Sequence, residues 1–293
     1  MTTDLSLLSL NQATTKRLSI PDAVELCRRH GLGGIGLWRD RIAETGAAAA
    51  AAMAADAGLT VTSVCRGGFF PAVDAATRAA ALDDNRAAVR ETAEVGSDVL
   101  VLVCGGLPED SRDLAGARQM VADGIAALAP YAAEHGVRLA VEPMHPIFAA
   151  DRSVVTTLAQ AIDLAEQSPV GQVGVVVDSY HLWWDPELRE QILRAGERIL
   201  AYQISDWVVP LPDAPDTGNL LGRAHVGDGH IDFGRLTRWV GEAGYRGFVE
   251  VEIFNAAIWA DDADRTLATA ARRFLDHLPN PLPWASGTPG GSR

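Results

Sequence analysis

Five carboxylates, two imidazoles and one amide stand at the downstream ends of apolar runs in the second half of the chain. "VRLAVEP" (137–143) delivers Glu142, with His145 three residues on. "VGVVVD" (173–178) delivers Asp178 and then His181. "ILAYQIS" (199–205) carries Gln203, with Asp206 behind it, and "FVEVEIF" (248–254) carries Glu250 and Glu252. A charge at the end of an apolar strand is costly to desolvate alone, so each must be paired, hydrogen-bonded or bound to a cation. Several converging oxygens with little imidazole and no thiolate fit one hard divalent ion, Mn²⁺ or Mg²⁺, over a structural zinc, with Co²⁺ and Zn²⁺ still open.

Each of these residues taken singly has a plainer use. A strand-end Glu or Asp can cap the next helix or bind an arginine, and a lone His near a mouth is often just a satisfied polar residue. Glu250 points to the same face as Glu252 but sits two residues deeper, where an ion pair such as one to Arg138 is in reach. Glu142 and Asp178 together favour a metal, because they end apolar strands of adjacent βα units. Trp183, Trp184 and Trp207 read as packing, with Trp184 also available as a wall against the apolar face of a sugar. Arg39, Arg41 and Arg66 follow earlier strands, where they can recognise a phosphate or pair with acids.

The elements that must position these groups are visible as a repeating pattern. Strand-like runs recur at 4–10, 33–38, 59–65, 98–104, 137–143, 173–178, 199–205 and 248–254, with helical stretches at 21–30, 43–57, 74–95, 111–135, 154–167, 187–196, 233–243 and 261–277. Capping residues open many helices and glycine closes several, as in "RRHGLGG" and "AEHGVRL". Eight strands alternating with eight helices predict an α/β protein with a single (β/α)₈ TIM barrel domain over residues 1–278. An open doubly wound sheet is the alternative, but the glycine-rich turn that it would use for a dinucleotide is missing. The Pro- and Gly-rich residues 279–293 read as a flexible C-terminal tail.

Composition bounds the partners. The 293 residues are 48% hydrophobic and 22% charged, ordinary for a globular protein. With 38 acidic and 25 basic residues the net charge is −13, which argues against nucleic acid and against anionic membranes. Three cysteines without CxxC spacing give neither a disulfide framework nor a thiolate zinc site, and fit a reducing cytoplasm. The opening "MTTDLSLLSLNQ" lacks a signal-peptide pattern, and no apolar run approaches the roughly 20 residues of a membrane span.

The strings "LAVEPMHP", "VVVDSYHLWWDP", "YQISDW", "GRAHVGDGHIDF" and "GYRGFVEVEIFN" resemble the xylose-isomerase-like TIM-barrel superfamily, in the branch of sugar phosphate isomerases and epimerases that includes D-tagatose 3-epimerase. The resemblance covers most of residues 5–277. It implies a metal held by a Glu, an Asp, a His and a Glu from strands five to eight, matching Glu142, Asp178 and Glu252. His181 falls in a substrate-binding position, and Arg223, ahead of Gly227, Gly229 and Asp232, in one that holds substrate oxygens. The chain departs from this pattern at strand seven, where Gln203 stands in place of the His; an amide oxygen suits a hard cation better than a soft one. The apurinic endonucleases of the same superfamily use further histidines from early strands, which "LWRD", "VCRGG" and "VCGG" do not supply.

The implied chemistry is proton abstraction beside a metal-bound carbonyl of a ketose-like substrate, with Glu142 and Glu252 removing and returning the proton and His145 a further acid or base. His181, Arg223 and Trp184 would bind the sugar. An alternative keeps the site but ends in elimination: a keto-sugar dehydratase, or a C-glycoside deglycosidase subunit with a small partner subunit. A third reading is a non-catalytic sugar-binding barrel. The sequence leaves open a homo-oligomer and the identity of the sugar.

Overall fold

The computed structural model describes residues 4–210 and 222–285. Eight strands, β1 (Leu8–Asn11), β2 (Gly34–Trp38), β3 (Thr60–Gly68), β4 (Val99–Val103), β5 (Arg138–Glu142), β6 (Val173–Asp178), β7 (Ile199–Ile204) and β8 (Val249–Val251), close into one barrel. Every neighbouring pair is parallel, and β8 closes the ring on β1. All eight expected strands are present, and the fold is a TIM barrel. Their near-continuous apolar character follows from burial on both faces: helices cover the outside, and the lumen is filled by side chains.

Local chemistry sets the helices. Ser19 accepts a hydrogen bond from the Asp22 backbone N–H, Pro21 sits in the first turn, and Gly31 closes Ile20–His30 at φ 71°. The helix expected over 43–57 is two helices, Arg39–Thr45 and Ala47–Asp56, because Gly46 adopts φ 86° between them. The C-terminal tail expected from 279 also needs correction. Leu282 and Trp284 are buried against the barrel, Trp284 Nε1 donates to the Gly247 carbonyl (3.0 Å), and its ring meets Tyr245 edge-on. Burying side chains of this size is worth about 1.5–3 kcal/mol each, enough to hold a proline-rich segment down. Residues 286–293 lie outside the described residues. No helix among the described residues is long and apolar enough to cross a membrane.

Candidate active site

The C-terminal ends of the strands surround a cavity of about 240 Å³ with Glu142, Glu252 and Arg223 in its lining. Glu142 is the last residue of β5, Asp178 the last of β6, and Glu252 follows β8 directly. The loop after β7 brings in the basic partner. Residues 206–207 pair antiparallel with 223–224, and Asp206, fully buried, accepts hydrogen bonds from the backbone N–H groups of Gly227, Gly229 and Ile231. Gly227 has φ 87°, and a Cβ there would meet the His277 ring at 2.2 Å. This turn anchors Arg223 at the mouth.

Arg223 is buried at the centre of the acids. Its Nη1 donates to Asp178 Oδ2 (2.8 Å), Ser205 Oγ (3.1 Å) and the Glu252 carbonyl (3.2 Å), and lies 3.3 Å from Glu252 Oε2. Burial works against its charge, but Asp178, Glu252 and Glu142 more than offset that and hold it above the usual guanidinium range. Glu142 accepts no hydrogen bond among the described residues. Burial, and then the Asp178 charge, push its carboxyl up from 4.5 to about 8. Burial likewise raises Asp178, with Arg223 opposing it, and lifts Glu252 well above the ordinary carboxylate range.

His181 is fully buried, and burial followed by Arg223 holds its ring neutral. Its Nδ1 faces the His145 backbone N–H (3.2 Å) and its Nε2 faces Arg223 Nη2 (3.0 Å), so both ring nitrogens meet donors, and Nε2 also lies 3.7 Å from Glu142 Oε1.

Gln203 sits one layer down, opposite Asp178 on β6 and Glu250 on β8. Its Nε2 donates to Glu250 Oε1 (3.0 Å), which fixes the amide orientation and leaves the buried Oε1 without a partner. Glu250 does not reach Arg138, which pairs with Asp98 (2.7 Å). It is instead ringed by Asn11 Nδ2 (2.8 Å), Thr62 Oγ1 (2.6 Å), Ser63 Oγ (3.0 Å) and Gln203.

This inventory accommodates a divalent cation. Glu142, Asp178 and His181 each bring a ligand-capable atom within 4.8 Å of one another. Three buried carboxyls share the Arg223 guanidinium, so ionising all of them is resisted and their proton affinity is raised, and the Gln203 amide oxygen is a buried acceptor with no partner among the described residues. Buried groups in that state call for a cation.

Two expected site residues stand apart. His145 is not in the cavity lining: its ring stacks on Trp207 (centroids 4.8 Å apart), and its Nδ1 accepts from the Ile147 N–H. Trp184 is also outside the lining, with Nε1 donating to the His181 carbonyl (2.8 Å). Arg39 and Arg41 are paired, with Asp84 and Glu91 and with Glu44. The sequence reading passed over Ser205, Lys16 and Arg152. Ser205 shares a strand face with Gln203, two residues on, and that spacing is the signal that could have found it.

Comparison with known proteins places these residues in a family. The structure superposes on the crystal structure of a protein from Sinorhizobium meliloti 1021 with a TM-score of 0.89 and 46% identity, over 94% of this chain and 99% of that one. A 3-dehydroshikimate dehydratase of Pseudomonas putida is 29% identical over 185 residues, 62% of this chain and 27% of that protein. An inosose isomerase of Bacillus licheniformis is 30% identical over 153 residues, 51% of each. The matched residues thus span about a quarter and about half the length of these two relatives. A family model described as xylose isomerase-like TIM barrel matches residues 23–278, and with the closed barrel in hand the chain belongs to the xylose isomerase-like TIM barrel family.

Proposed function

We propose that this protein is a divalent-metal-dependent sugar isomerase or epimerase that enolises a keto-sugar or keto-polyol. The observation that carries the reading is the buried acid cluster: Glu142 and Glu252 line the cavity with Arg223, Asp178 lies behind them on that guanidinium, and the Gln203 amide oxygen is a buried acceptor without a partner among the described residues. Glu142, Asp178, Gln203 through Oε1, and Glu252 would hold the ion, with Mn²⁺ the first choice for this oxygen-rich set. When bound, it supplies Lewis-acid charge that polarises a carbonyl.

The chain's own groups do the rest. One of Glu142 and Glu252 takes the proton from the carbon beside the carbonyl, and the other returns it at the same or the neighbouring carbon. Both border the cavity from strands on different sides of the barrel. His181 and Arg223, joined through Nε2 and Nη2, hold substrate oxygens, and burial of the site keeps water from competing for the proton. His145 then supports Trp207 and the His181 ring through its backbone N–H, without touching the substrate.

A second reading, elimination of water, is favoured by the dehydratase relative that matches 62% of this chain. Both begin with the same proton abstraction. Incubation with keto-sugars and keto-polyols in D₂O with added Mn²⁺, followed by NMR, separates them. Deuterium in an intact carbon skeleton supports the isomerase, and loss of a hydroxyl with a new conjugated double bond supports the dehydratase. Absence of deuterium exchange together with absence of stoichiometric metal would reduce the protein to a sugar-binding barrel.

A further inference from the structure

We propose that the substrate carries an anionic group, a carboxylate or a phosphate monoester, and that Arg66, Arg152 and Lys16 bind it at the rim of the cavity. This rests on the enolising function proposed above and adds the class of substrate that the site accepts.

The argument starts from how the other arginines are used. In a chain with 38 acidic residues against 25 basic ones, a basic side chain finds a carboxylate readily. Arg28, Arg39, Arg41, Arg138 and Arg194 all do so at 2.5–3.0 Å. Half-buried arginines without an acid partner among the described residues, Arg78, Arg118 and Arg198, donate to backbone carbonyls, and Arg17, Arg112, Arg238 and Arg272 are exposed, where water serves them. Arg66 fits none of these groups. It is partly buried and donates to no acceptor among the described residues, and its guanidinium lies over the Phe69 ring at 4.3 Å.

Its neighbours in the cavity wall are as poorly matched. Among the described residues the one carboxylate paired with Arg152 is the exposed Asp151, at 3.6 Å, beyond hydrogen-bonding range. Lys16, exposed at the cavity edge, lies over the face of Trp259 at 4.6 Å and adds its charge to the same wall. Burial, then repulsion from Arg152, weaken the hold of Arg66 on its proton, with Glu142 and Asp40 opposing them from beyond hydrogen-bonding range.

All three cations border the same cavity as Glu142 and Glu252. The cavity lining thus holds Lys16, Arg66, Arg152 and Arg223 against Glu142 and Glu252, more cations than its own carboxylates balance. The surplus calls for an anion, and planar guanidinium groups suit the paired oxygens of a carboxylate or a phosphate. A substrate with its carbonyl beside the carboxylates and an anionic substituent at the rim satisfies both sets at once.

The test is equilibrium binding by calorimetry, with inorganic phosphate, cyclohexanecarboxylate and neutral myo-inositol as probes. It compares the wild type, Arg66→Gln/Arg152→Gln, and Arg194→Gln as a control at a paired arginine outside the cavity lining. At least one anionic probe should bind the wild type and Arg194→Gln equally and weaken about tenfold or more in the double variant, while inositol changes little. Which anion binds more tightly names the group. Should the double variant fold poorly, Arg152→Gln, at a side chain 29% exposed, gives the same comparison with a smaller loss. Equal binding of the anions to wild type and variant, or binding of neither to the wild type, overturns the proposal. The readout needs no turnover, so a protein that fails deuterium exchange but passes here keeps its anion subsite and loses only the assigned reaction.

Discussion

Two layers of carboxylate lie one above the other in this barrel, and they are solvated in opposite ways. Glu250, in the lower layer, receives hydrogen bonds from Asn11, Thr62, Ser63 and Gln203, four neutral donors from β1, β3 and β7. Even the backbone yields to it: a Cβ on Gly36 would lie 2.6 Å from its carboxylate. Glu142, in the upper layer, receives no hydrogen bond among the described residues, and Asp178 and Glu252 share one guanidinium. The same residue type is thus structural where the fold supplies its donors and left reactive where the fold withholds them. Withheld solvation at the mouth of a barrel is how a site keeps charge available for a cation and a substrate.

That contrast makes the upper layer matter for turnover and the lower for stability. Glu142→Gln and Glu252→Gln should each lower kcat about 10²–10⁴-fold, with melting temperature kept or raised for Glu142→Gln, whose carboxyl has no hydrogen bond to lose among the described residues, and lowered for Glu252→Gln, which leaves Arg223 short of a partner. Steady-state assays beside thermal melts read both, and turnover within tenfold of wild type would break the assignment. Glu250→Leu should do the reverse. It strands four buried donors and should cost about 3–5 kcal/mol, a drop of roughly 10 °C in Tm, and a stable Glu250→Leu variant would dissolve the distinction.

Addition of Mn²⁺ sharpens the comparison. Chelator-treated protein should gain about 2.7 kcal/mol at a hundredfold excess over Kd, and more at pH 8.5 than at pH 6. The sign follows from Glu142, whose carboxyl rises from 4.5 to about 8 in the fold. The stability that its bound proton gives the ion-free fold is complete below 4.5 and lost as pH rises towards about 8. Over the same range the proton ceases to compete with the ion. Thermal melts across that range with and without Mn²⁺ test it, and a gain independent of pH would count against Glu142 as a ligand. Smallest of all, Gln203→Leu touches both layers, removing a donor from Glu250 and an acceptor from the mouth. It should lose about 1–2 kcal/mol of stability and shrink the Mn²⁺ shift; a variant with the full shift would confine Gln203 to the lower layer.

Much of the fold is legible in the chain because parallel, doubly buried strands produce unbroken apolar runs, and eight of them fit one closed barrel. The break at Gly46 and the burial of Leu282 and Trp284 are harder to read. The first turns on a single positive φ and the second on a docking surface built from distant residues. In the site, Glu142, Asp178 and Glu252 announce themselves as charges where apolar strands end. His181 stands out beside them as an imidazole three residues past Asp178, whereas Arg223 emerged only by resemblance. His145 and Trp184 illustrate the limit, since proximity in sequence to a site residue does not say whether a ring faces the cavity or the aromatic packing behind it.

The sequence by itself determined which side chains ride at the strand ends and, through the twofold alternation of a strand, which of them face the lumen. Only the tertiary structure decided that Glu250 is surrounded by donors while Glu142 is not, and that Arg66 lacks the acid partner that so many other arginines have. Those outcomes depend on the register of strands far apart in the chain. A shift of one residue between neighbours, about 3.3 Å along a strand, is the difference between a hydrogen bond and none.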